Sequence, residues 1–256
     1  MRLDVYLVEK GFFPSRQKAQ EAILRGDVII GGNAVLKPSK IVADGDAVSV
    51  VSDGERFVSN GGYKLHKAFK DFNFSPKDLV FADIGASNGG FTDCLLKFGA
   101  KKVIAIDVGE SQLDEVLVND GRVEVKDNTN ARNLTPELLG GAVDGVTADV
   151  SFISLTYILG NVAAVLKAGG VALLLIKPQF ELNAAALNKN GIVRSQSLRK
   201  SAVKRVYDCA LSVRLIPVDF TVAPLKDNKN VEYIIMLKKD RSLCPLDFKI
   251  IEKAAV

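Results

Sequence analysis

Of two lysines and two acidic residues, three stand at the ends of apolar segments, where strands of a sheet are predicted to begin or end, and one lysine lies just before the sheet begins. They are Lys64, Asp149, Lys177 and Glu232. A lysine directly after the apolar run 172–176 is unusual at the end of a buried strand, because an ammonium group removed from water needs carboxylate partners. Two amines and two carboxylates that converge can bind and move a proton, whereas the same residues apart would form ordinary ion pairs at a sheet edge. Their common position at strand ends favours the catalytic interpretation.

A glycine-rich segment, Asp-Ile-Gly-Ala-Ser-Asn-Gly-Gly-Phe-Thr over residues 83–92, follows a predicted strand. Glycines at a strand-to-helix turn let the backbone approach a ligand closely, although a purely structural turn is the alternative. Asp107 ends the next strand, where a carboxylate can accept both ribose hydroxyls of an adenosine. Ser87 interrupts the dinucleotide fingerprint, and Asp83 would repel a pyrophosphate but attract a cationic amino acid. The segment therefore favours S-adenosylmethionine over NAD as the cofactor.

The predicted cofactor site draws on residues at the ends of four strands. Asp127, after the third strand, can bind the adenine amino group, although a surface turn is the simpler interpretation of this residue alone. The full predicted set is Asp83, Gly85, Ser87, Gly89, Gly90, Phe91, Thr92, Asp107, Asp127 and Asp149.

The elements that must position these residues alternate between strand and helix from residue 61 onward. Apolar runs occur at 79–84, 103–108, 123–125, 145–150, 171–176, 215–222 and 231–237. Continuous apolar runs are typical of buried parallel strands, so we predict an α/β protein with a doubly wound, Rossmann-like domain and a mostly parallel seven-stranded sheet. No long helix separates the last two runs, so the final strand is expected to run antiparallel. Ligands bind at the carboxyl ends of parallel strands, which brings the four charged residues beside the glycine-rich segment.

Residues 1–52 predict a small α+β domain of their own. Leu3 and Leu7 lie at helical spacing, Ser15 can cap a second helix, and Gly26 can end it. Short β-type runs and glycine turns follow. Residues 53–60 read as a linker, and residues 61–256 as the larger domain.

Composition excludes several classes of protein. With 48% hydrophobic residues and a net charge of +4 over 256 residues, the chain is typical of a folded globular protein. The longest apolar run, 171–176, is far shorter than the ~18–20 residues of a membrane-spanning helix. Glu9 and Lys10 interrupt the only apolar stretch near the start, which argues against a secretory signal. Three widely spaced cysteines and one histidine predict neither disulfides nor a metal centre, so we expect a cytoplasmic protein without a membrane span.

Basic residues are clustered in two parts of the chain, which suits either RNA phosphates or a solvated helix face. One cluster, including Lys67, lies between residues 56 and 70. The other, including Arg194, contains six basic and no acidic residues between positions 183 and 207. We predict that Lys67 and Arg194 contact RNA.

Both parts of the chain resemble known domains. Residues 1–52 resemble the αL RNA-binding domain of ribosomal protein S-four, through Arg-Leu-Asp at 2–4, Ser-Arg at 15–16, Gly-Asp-Val at 26–28 and Lys-Pro-Ser at 37–39. The whole chain resembles the haemolysin-A-type (TlyA) family, in which this domain is fused to an FtsJ-like ribose methyltransferase. The segments that carry the likeness are Gly-Gly-x-Lys-Leu at 61–65, the segment 83–92, Asp-Val-Ser-Phe-Ile-Ser at 149–154, Lys-Pro-Gln-Phe-Glu at 177–181 and Asn-x-Glu-Tyr at 230–233.

The resemblance implies a function for these residues. It implies a catalytic tetrad of Lys64, Asp149, Lys177 and Glu232, and methyl transfer from S-adenosylmethionine to a ribose 2′-hydroxyl, typically of cytidine in ribosomal RNA. A ribose hydroxyl is a very weak acid, so its proton must be removed or shared during transfer. Lys177 is the candidate base, while Lys64 could hold the alkoxide, Glu232 could orient a lysine and Asp149 could bridge cofactor and tetrad. The αL resemblance implies that Arg16, Lys18 and Arg25 face RNA phosphates.

The chain departs from the family pattern on its substrate side. Asn60 stands where the family usually has arginine, and the loops 181–191 and 226–229 lack their usual glycines. The choice of target nucleotide is therefore less defined than the chemistry.

Other functions remain as alternatives. The family's name suggests a membrane-active haemolysin, and an inactive RNA-binding factor of ribosome assembly would keep the αL domain. A pseudouridine synthase would leave Asp83 and Asp107 without a ligand. A base methyltransferase normally shows an Asn/Asp-Pro-Pro-aromatic segment after the fourth strand, which residues 150–152 do not provide.

Overall fold

The computed structural model describes residues 1–43, 45–50, 57–110, 112–224 and 229–255, apart from the side chain of Arg25. The buried side chains form three clusters. One is the core of residues 3–42, and the other two lie on the two faces of a large sheet in residues 57–255. The small N-terminal and large C-terminal parts predicted from the sequence therefore each have a core.

The N-terminal domain consists of two helices packed on a three-stranded antiparallel sheet. Its elements are α1 (Leu3–Glu9), α2 (Arg16–Arg25), β1 (Val28–Ile30), β2 (Asn33–Ala34) and β3 (Val48–Val50). The Ser15 hydroxyl accepts a hydrogen bond from the Lys18 amide and caps α2. Gly26 ends α2 with φ +87°, a left-handed conformation that glycine adopts without strain. Both helix boundaries agree with the sequence prediction.

The C-terminal domain alternates strands and helices around seven strands. The strands are β4 (Val80–Ile84), β5 (Lys102–Ile106), β6 (Val123–Lys126), β7 (Val143–Ala148), β8 (Leu166–Ile176), β9 (Ile216–Val222) and β10 (Tyr233–Lys238). The helices are α3 (Asn60–Asp71), α4 (Gly90–Lys97), α5 (Glu115–Val118), α6 (Leu159–Val165), α7 (Pro178–Glu181), α8 (Gln196–Ser212) and α9 (Phe248–Ala254).

The strand order is β6-β5-β4-β7-β8-β10-β9. The first five strands in this order are parallel, and β10 is antiparallel to both of its neighbours. The prediction of a mostly parallel seven-stranded sheet with an antiparallel last strand is confirmed. Because β10 runs the opposite way, its beginning lies at the same sheet edge as the carboxyl ends of β4, β7 and β8.

Several strand ends differ from the predicted runs. β5 ends at Ile106 and β7 at Ala148, while β10 begins at Tyr233, so Asp107, Asp149 and Glu232 lie just outside their strands. Their backbone groups still hydrogen-bond to the neighbouring chain segments, while their side chains contact loops and helices. The eighth strand begins at Leu166, earlier than predicted, through a segment that contains two glycines.

Phe57 and Val58, which the sequence placed in the linker, pack with the C-terminal domain. Phe57 is buried in the core beside Leu65, and the Val58 amide donates to the Asp93 carboxylate at 2.9 Å. Of the rest of the predicted linker, residues 53–56 lie outside the described residues, whereas Ser59 precedes α3 and Asn60 is its first residue.

Across the described ranges, no helix combines the length and apolar character needed to cross a bilayer.

Candidate active site

The four charged residues predicted from strand ends form one connected cluster. Lys64 Nζ lies 2.7 Å from Glu232 Oε2 and 3.7 Å from Asp149 Oδ2. Lys177 Nζ lies 2.6 Å from Asp149 Oδ1. Asp149 thus lies between the two amines, and all four side chains are largely withdrawn from solvent. The structure therefore brings together a side chain of α3 and the side chains of residues directly after β7, directly after β8 and directly before β10.

The two lysines differ in their partners. Burial lowers the pKa of Lys64, but the charges of Asp149 and Glu232 outweigh burial, so its pKa is raised above the ordinary value. Lys64 therefore stays protonated at neutral pH and is suited to hold a negative oxygen. Lys177 Nζ instead donates a hydrogen bond to Ser151 Oγ at 2.9 Å. Ser151 lies in segment 149–154, which carries the family resemblance, but no role was predicted for it from the sequence.

Two adjoining pockets open beside this cluster. The glycine pocket, about 170 Å³, lies over the start of α4 and is bounded on one side by Lys177. The wide pocket, about 500 Å³, extends from it past the end of β5. Both are lined by Gly85, Ser87, Asp149 and Ser151, so they form one continuous cleft.

The glycine pocket depends on close backbone approaches. A Cβ atom on Gly90 would lie 2.2 Å from Ser59 Oγ, and one on Gly85 would lie 2.8 Å from the Asp149 carbonyl oxygen. Gly85 also has φ +78°. The beginnings of α3 and α4 meet here, and Ser59 and Gly61 line the pocket. Amide groups at helix starts favour an anionic ligand group such as a carboxylate, which the sequence reasoning missed for α3.

Asp107, the predicted ribose-binding residue, lines the wide pocket. Its Oδ2 accepts a hydrogen bond from the Ser87 amide at 3.0 Å, and its Oδ1 accepts one from the Gly109 amide at 3.1 Å. These bonds orient the carboxylate and leave lone pairs for ligand hydroxyls.

Three other predicted cofactor contacts differ from expectation. Asp83 is fully buried, and its oxygens accept hydrogen bonds from Thr92 Oγ1 at 2.7 Å and Thr147 Oγ1 at 2.9 Å. A direct contact of Asp83 or Thr92 with a cofactor does not fit this geometry. Both residues are fully buried, they are hydrogen-bonded to each other, and neither lines a pocket of the cleft. Burial raises the pKa of Asp83 to about 6, although both threonine hydroxyls favour the charged form. Asp127 is exposed and lies outside the lining of both pockets.

Gly89 and Phe91 have different places in the glycine-rich turn. Gly89 precedes α4 with φ +89°, and a Cβ there would lie 2.2 Å from Leu117 Cδ1, so this glycine serves packing against α5. Phe91 is almost fully buried and forms part of the glycine pocket's wall.

An exposed aromatic residue marks the mouth of the wide pocket. Phe152 is 92% exposed and has φ +64°, a left-handed conformation that is costly for a bulky residue. Its ring packs at 5.2 Å from the ring of Phe180, and Lys177 Nζ lies 5.9 Å from that second ring. This strain could not be predicted, because nothing in the residue types of 149–154 indicates a positive φ.

Arg16 in the N-terminal domain is tied to a buried carboxylate. Arg16 Nε donates to Asp4 Oδ2 at 2.8 Å, and Arg2 donates to both Asp4 oxygens. The Gln20 amide also donates to Asp4, and hydrogen bonds from the arginines and Gln20 hold the pKa of Asp4 well below its usual range. Both guanidinium groups remain about half exposed, so the cluster orients them toward solvent.

The other residues predicted to contact RNA differ in their exposure and in their partners. Lys18 is exposed and lies 3.5 Å from Glu21. Lys67 is ion-paired with Asp71 and donates to Thr221 Oγ1, which gives it a structural role. Arg194 is exposed, and the side chain of Arg25 lies outside the described part.

The basic run from residue 189 to 205 is only partly available for a polyanion. Arg199 donates to the carbonyl oxygens of Val193 and Arg194, and Arg205 donates to that of Glu181. Much of this cluster therefore stabilises loops around α8. Among the residues with described positions, no group of three or more His, Cys, Asp or Glu side chains is arranged to hold a metal ion.

Comparison with known proteins gives matches over nearly the whole chain. The S4 domain matches residues 1–48, and the FtsJ-like methyltransferase matches residues 57–239. The chain is 42% identical over 246 residues to the 16S/23S rRNA (cytidine-2′-O)-methyltransferase TlyA of Mycobacterium tuberculosis, covering 94% of this chain and 92% of that protein. It is 41% identical over 240 residues to Hemolysin A of Brachyspira hyodysenteriae, covering 91% and 98%.

A solved structure agrees with these sequence matches. A protein described as a hemolysin from Streptococcus thermophilus superimposes with a TM-score of 0.75 at 35% identity, covering 100% of this chain and 94% of that one. The paired domains, the tetrad and the extent of these matches agree, and this chain belongs to the TlyA/hemolysin A family of S4-containing, FtsJ-like methyltransferases.

Proposed function

We propose that this protein transfers the methyl group of S-adenosylmethionine to the 2′-hydroxyl of a cytidine in ribosomal RNA, in the cytoplasm. The observation that carries the proposal is the Lys-Asp-Lys-Glu cluster, two members of which, Asp149 and Lys177, line the glycine pocket. The named activity of the relatives supports cytidine and ribosomal RNA as the target. The cluster itself supports a hydroxyl as the acceptor, because such a weak acid requires a base and a counter-charge.

The cleft fits S-adenosylmethionine in shape and in donor chemistry. The wide pocket presents Asp107 for ribose hydroxyls, and the glycine pocket presents the amide groups at the starts of α3 and α4 for a carboxylate. When bound, S-adenosylmethionine supplies an electrophilic methyl group on a sulfonium. Gly85 and Gly90 keep the backbone close enough for this cofactor, since side chains there would collide with Asp149 and Ser59.

The tetrad would act on the acceptor hydroxyl. Lys177, once deprotonated, accepts the hydroxyl proton at Nζ, and Asp149 and Ser151 fix the position of that nitrogen. Lys64 stays positively charged and stabilises the developing oxyanion, while Glu232 holds its ammonium group in place. Asp149 contacts both amines and therefore fixes the distance between base and counter-charge. Positioning of the acceptor oxygen supplies much of the rate.

RNA would be held by the N-terminal domain and by the rim of the cleft. The half-exposed Arg2 and Arg16 guanidinium groups suit phosphates, to which they can donate two hydrogen bonds at once. Phe152 suits a nucleobase, because unpaired RNA bases stack on exposed aromatic rings.

The test is a methylation assay on ribosomal RNA from cells that lack this protein. Ribosomal subunits are incubated with the protein and isotope-labelled S-adenosylmethionine, and the nucleosides are then separated and identified by mass. We expect label in 2′-O-methylcytidine. Label in a base, label in no nucleoside, or lysis of washed red cells by the purified protein without methylation would contradict the proposal.

Two variants separate chemistry from binding. Lys177→Ala should abolish methylation while leaving the affinity for S-adenosylmethionine within about threefold, since the amine acts on the acceptor. Lys253→Ala, on the exposed side of α9 and outside the cleft, serves as the matched lysine control and should keep full activity. Activity that survives Lys177→Ala would eliminate this residue as the base.

A further inference from the structure

Two chain segments meet beside the tetrad at several points along their length. The first segment, 149–155, follows β7, and the second, 177–181, follows β8. At one end, Lys177 binds Asp149 and Ser151. In the middle, the rings of Phe152 and Phe180 are in contact, and the far end is joined through Glu181.

Glu181 makes this last connection with both carboxylate oxygens. Its Oε2 accepts a hydrogen bond from Ser154 Oγ at 2.5 Å, and its Oε1 accepts one from the Leu155 amide at 2.9 Å. Only 2% of the residue is exposed, so these bonds are shielded from competing water. Ser154 Oγ also contacts Thr156 Oγ1 at 2.7 Å and accepts a hydrogen bond from the Thr156 amide, which begins a short 3-10 helix.

The segment that Glu181 holds includes the strained residue. Phe152 has φ +64° and almost no cover from solvent, so its own side chain contributes little to keeping that conformation. A left-handed conformation at a bulky residue persists only where the surrounding structure imposes it. The ends of the segment impose it here: Lys177 fixes Ser151 on one side, and Glu181 fixes Ser154 and Leu155 on the other.

We propose that Glu181 is a positioning residue. Its buried carboxylate maintains the hydrogen bond between Lys177 and Ser151, and it holds the Phe152 ring at the mouth of the wide pocket, where the ring can receive the target nucleotide. This role rests on the proposed function, because it gives Phe152 an RNA base as its partner. Glu181 touches neither pocket, so it acts through the segment 151–155 and leaves the cofactor site unaffected.

The kinetic test compares Glu181→Ala with the conservative Glu181→Gln. Glu181→Ala should lower kcat/KM for RNA by about tenfold or more, because two buried hydrogen bonds are lost. Glutamine can accept from the Leu155 amide and donate to Ser154 Oγ, so Glu181→Gln should restore activity to within about threefold of the native protein. The affinity for S-adenosylmethionine, measured by calorimetry, should stay within about twofold in both variants.

A spectroscopic test reports the segment directly and needs no methylation. The chain contains no tryptophan, so Phe152→Trp introduces a single fluorescent probe at the pocket mouth. In that background, Glu181→Ala should lower the fluorescence anisotropy of the probe, and Glu181→Gln should not. Asp144→Ala is the matched control: Asp144 lies at the other end of β7, where it accepts from the Val80 amide and pairs with Lys167. Its loss should lower stability without changing the anisotropy.

The outcomes separate the two proposals. Unchanged anisotropy in Glu181→Ala, or a loss of cofactor affinity equal to the loss of RNA methylation, would overturn the positioning role. If the native protein methylates no RNA, the proposed function fails, while the anisotropy still decides whether Glu181 orders the segment. If Glu181→Ala does not fold, Ser154→Ala removes the other end of the same hydrogen bond, and amide exchange over residues 150–156 should then be faster than in the native protein.

Discussion

Asp83 gives the protein a pH-dependent stability that one substitution should remove. Its carboxyl is buried beneath the glycine pocket, and burial raises its pKa from 3.8 to about 6. In the unfolded chain the carboxyl ionises near its ordinary value, so between pH ~4 and ~6 only the folded protein keeps the proton. The free energy of unfolding should therefore fall as pH rises through this window. Above the window, Asp83 should add no further pH dependence.

The size of the effect follows from the difference in pKa. About two pH units at 1.36 kcal/mol each give about 3 kcal/mol, of which about 2 kcal/mol is expected between pH 4 and pH 7. Asp83→Asn keeps the shape and can still bond to both threonine hydroxyls, yet it never ionises. Relative to the native protein, this variant should thus gain about 2 kcal/mol between the two pH values.

The assay is urea unfolding of the full chain, followed by circular dichroism at several pH values. Groups common to both proteins cancel in the difference between variant and native protein. Thr147→Val is an internal check, because it removes a hydroxyl that favours ionised Asp83 and should increase the pH dependence. A difference between Asp83→Asn and the native protein that stays constant from pH 4 to pH 7 would refute the reasoning.

Three further outcomes are expected from the cofactor site and the N-terminal domain. Asp107→Ala should raise the dissociation constant for S-adenosylmethionine by about tenfold in calorimetry, while Asp127→Ala should change it by less than about twofold; equal effects would contradict the placement of the ribose. Removing residues 1–50 should weaken RNA binding and flatten its salt dependence in filter binding, and an unchanged salt slope would exclude phosphate contacts by this domain. Asp4→Ala should lower the free energy of unfolding of the N-terminal domain by about 1–2 kcal/mol, seen as faster amide exchange in residues 1–50, since three side chains lose a charged acceptor. Native exchange rates in that variant would show that the cluster is not stabilising.

The sequence predicted the tetrad because three members end or interrupt apolar runs, and the fourth, Lys64, lies in a segment that carries the family resemblance. Lys177 and Asp149 follow runs that only a buried strand explains, and the direction of the last strand could be inferred from the missing helix before it. Parallel sheets then bring such residues to one edge by geometry alone. Strand order and direction account for Asp149, Lys177 and Glu232, whereas the place of Lys64 also depends on how α3 packs beside the sheet.

The sequence could not predict which polar groups satisfy one another in the interior. Asp83 follows the usual position of a cofactor-binding acid, yet Thr92 and Thr147 take both of its oxygens, and this depends on how α4 packs over β4 and β7. Arg16 likewise matched an RNA-binding pattern, but its contact with Asp4 depends on how α1 meets α2. Contacts between elements distant in the chain leave little trace in residue type.

The insertion of β10 between β8 and β9 has a consequence for when the enzyme becomes active. Until β10 pairs with β8 and β9, the active site of a nascent or partly unfolded chain contains only three of the four charged groups. Lys64 then lacks Glu232, the acid with which it pairs most closely. Pairing between strands far apart in sequence is slow compared with local helix formation. Methyl transfer is thereby reserved for molecules whose sheet is complete, and during gradual unfolding the activity should vanish together with the protection of the β10 amides.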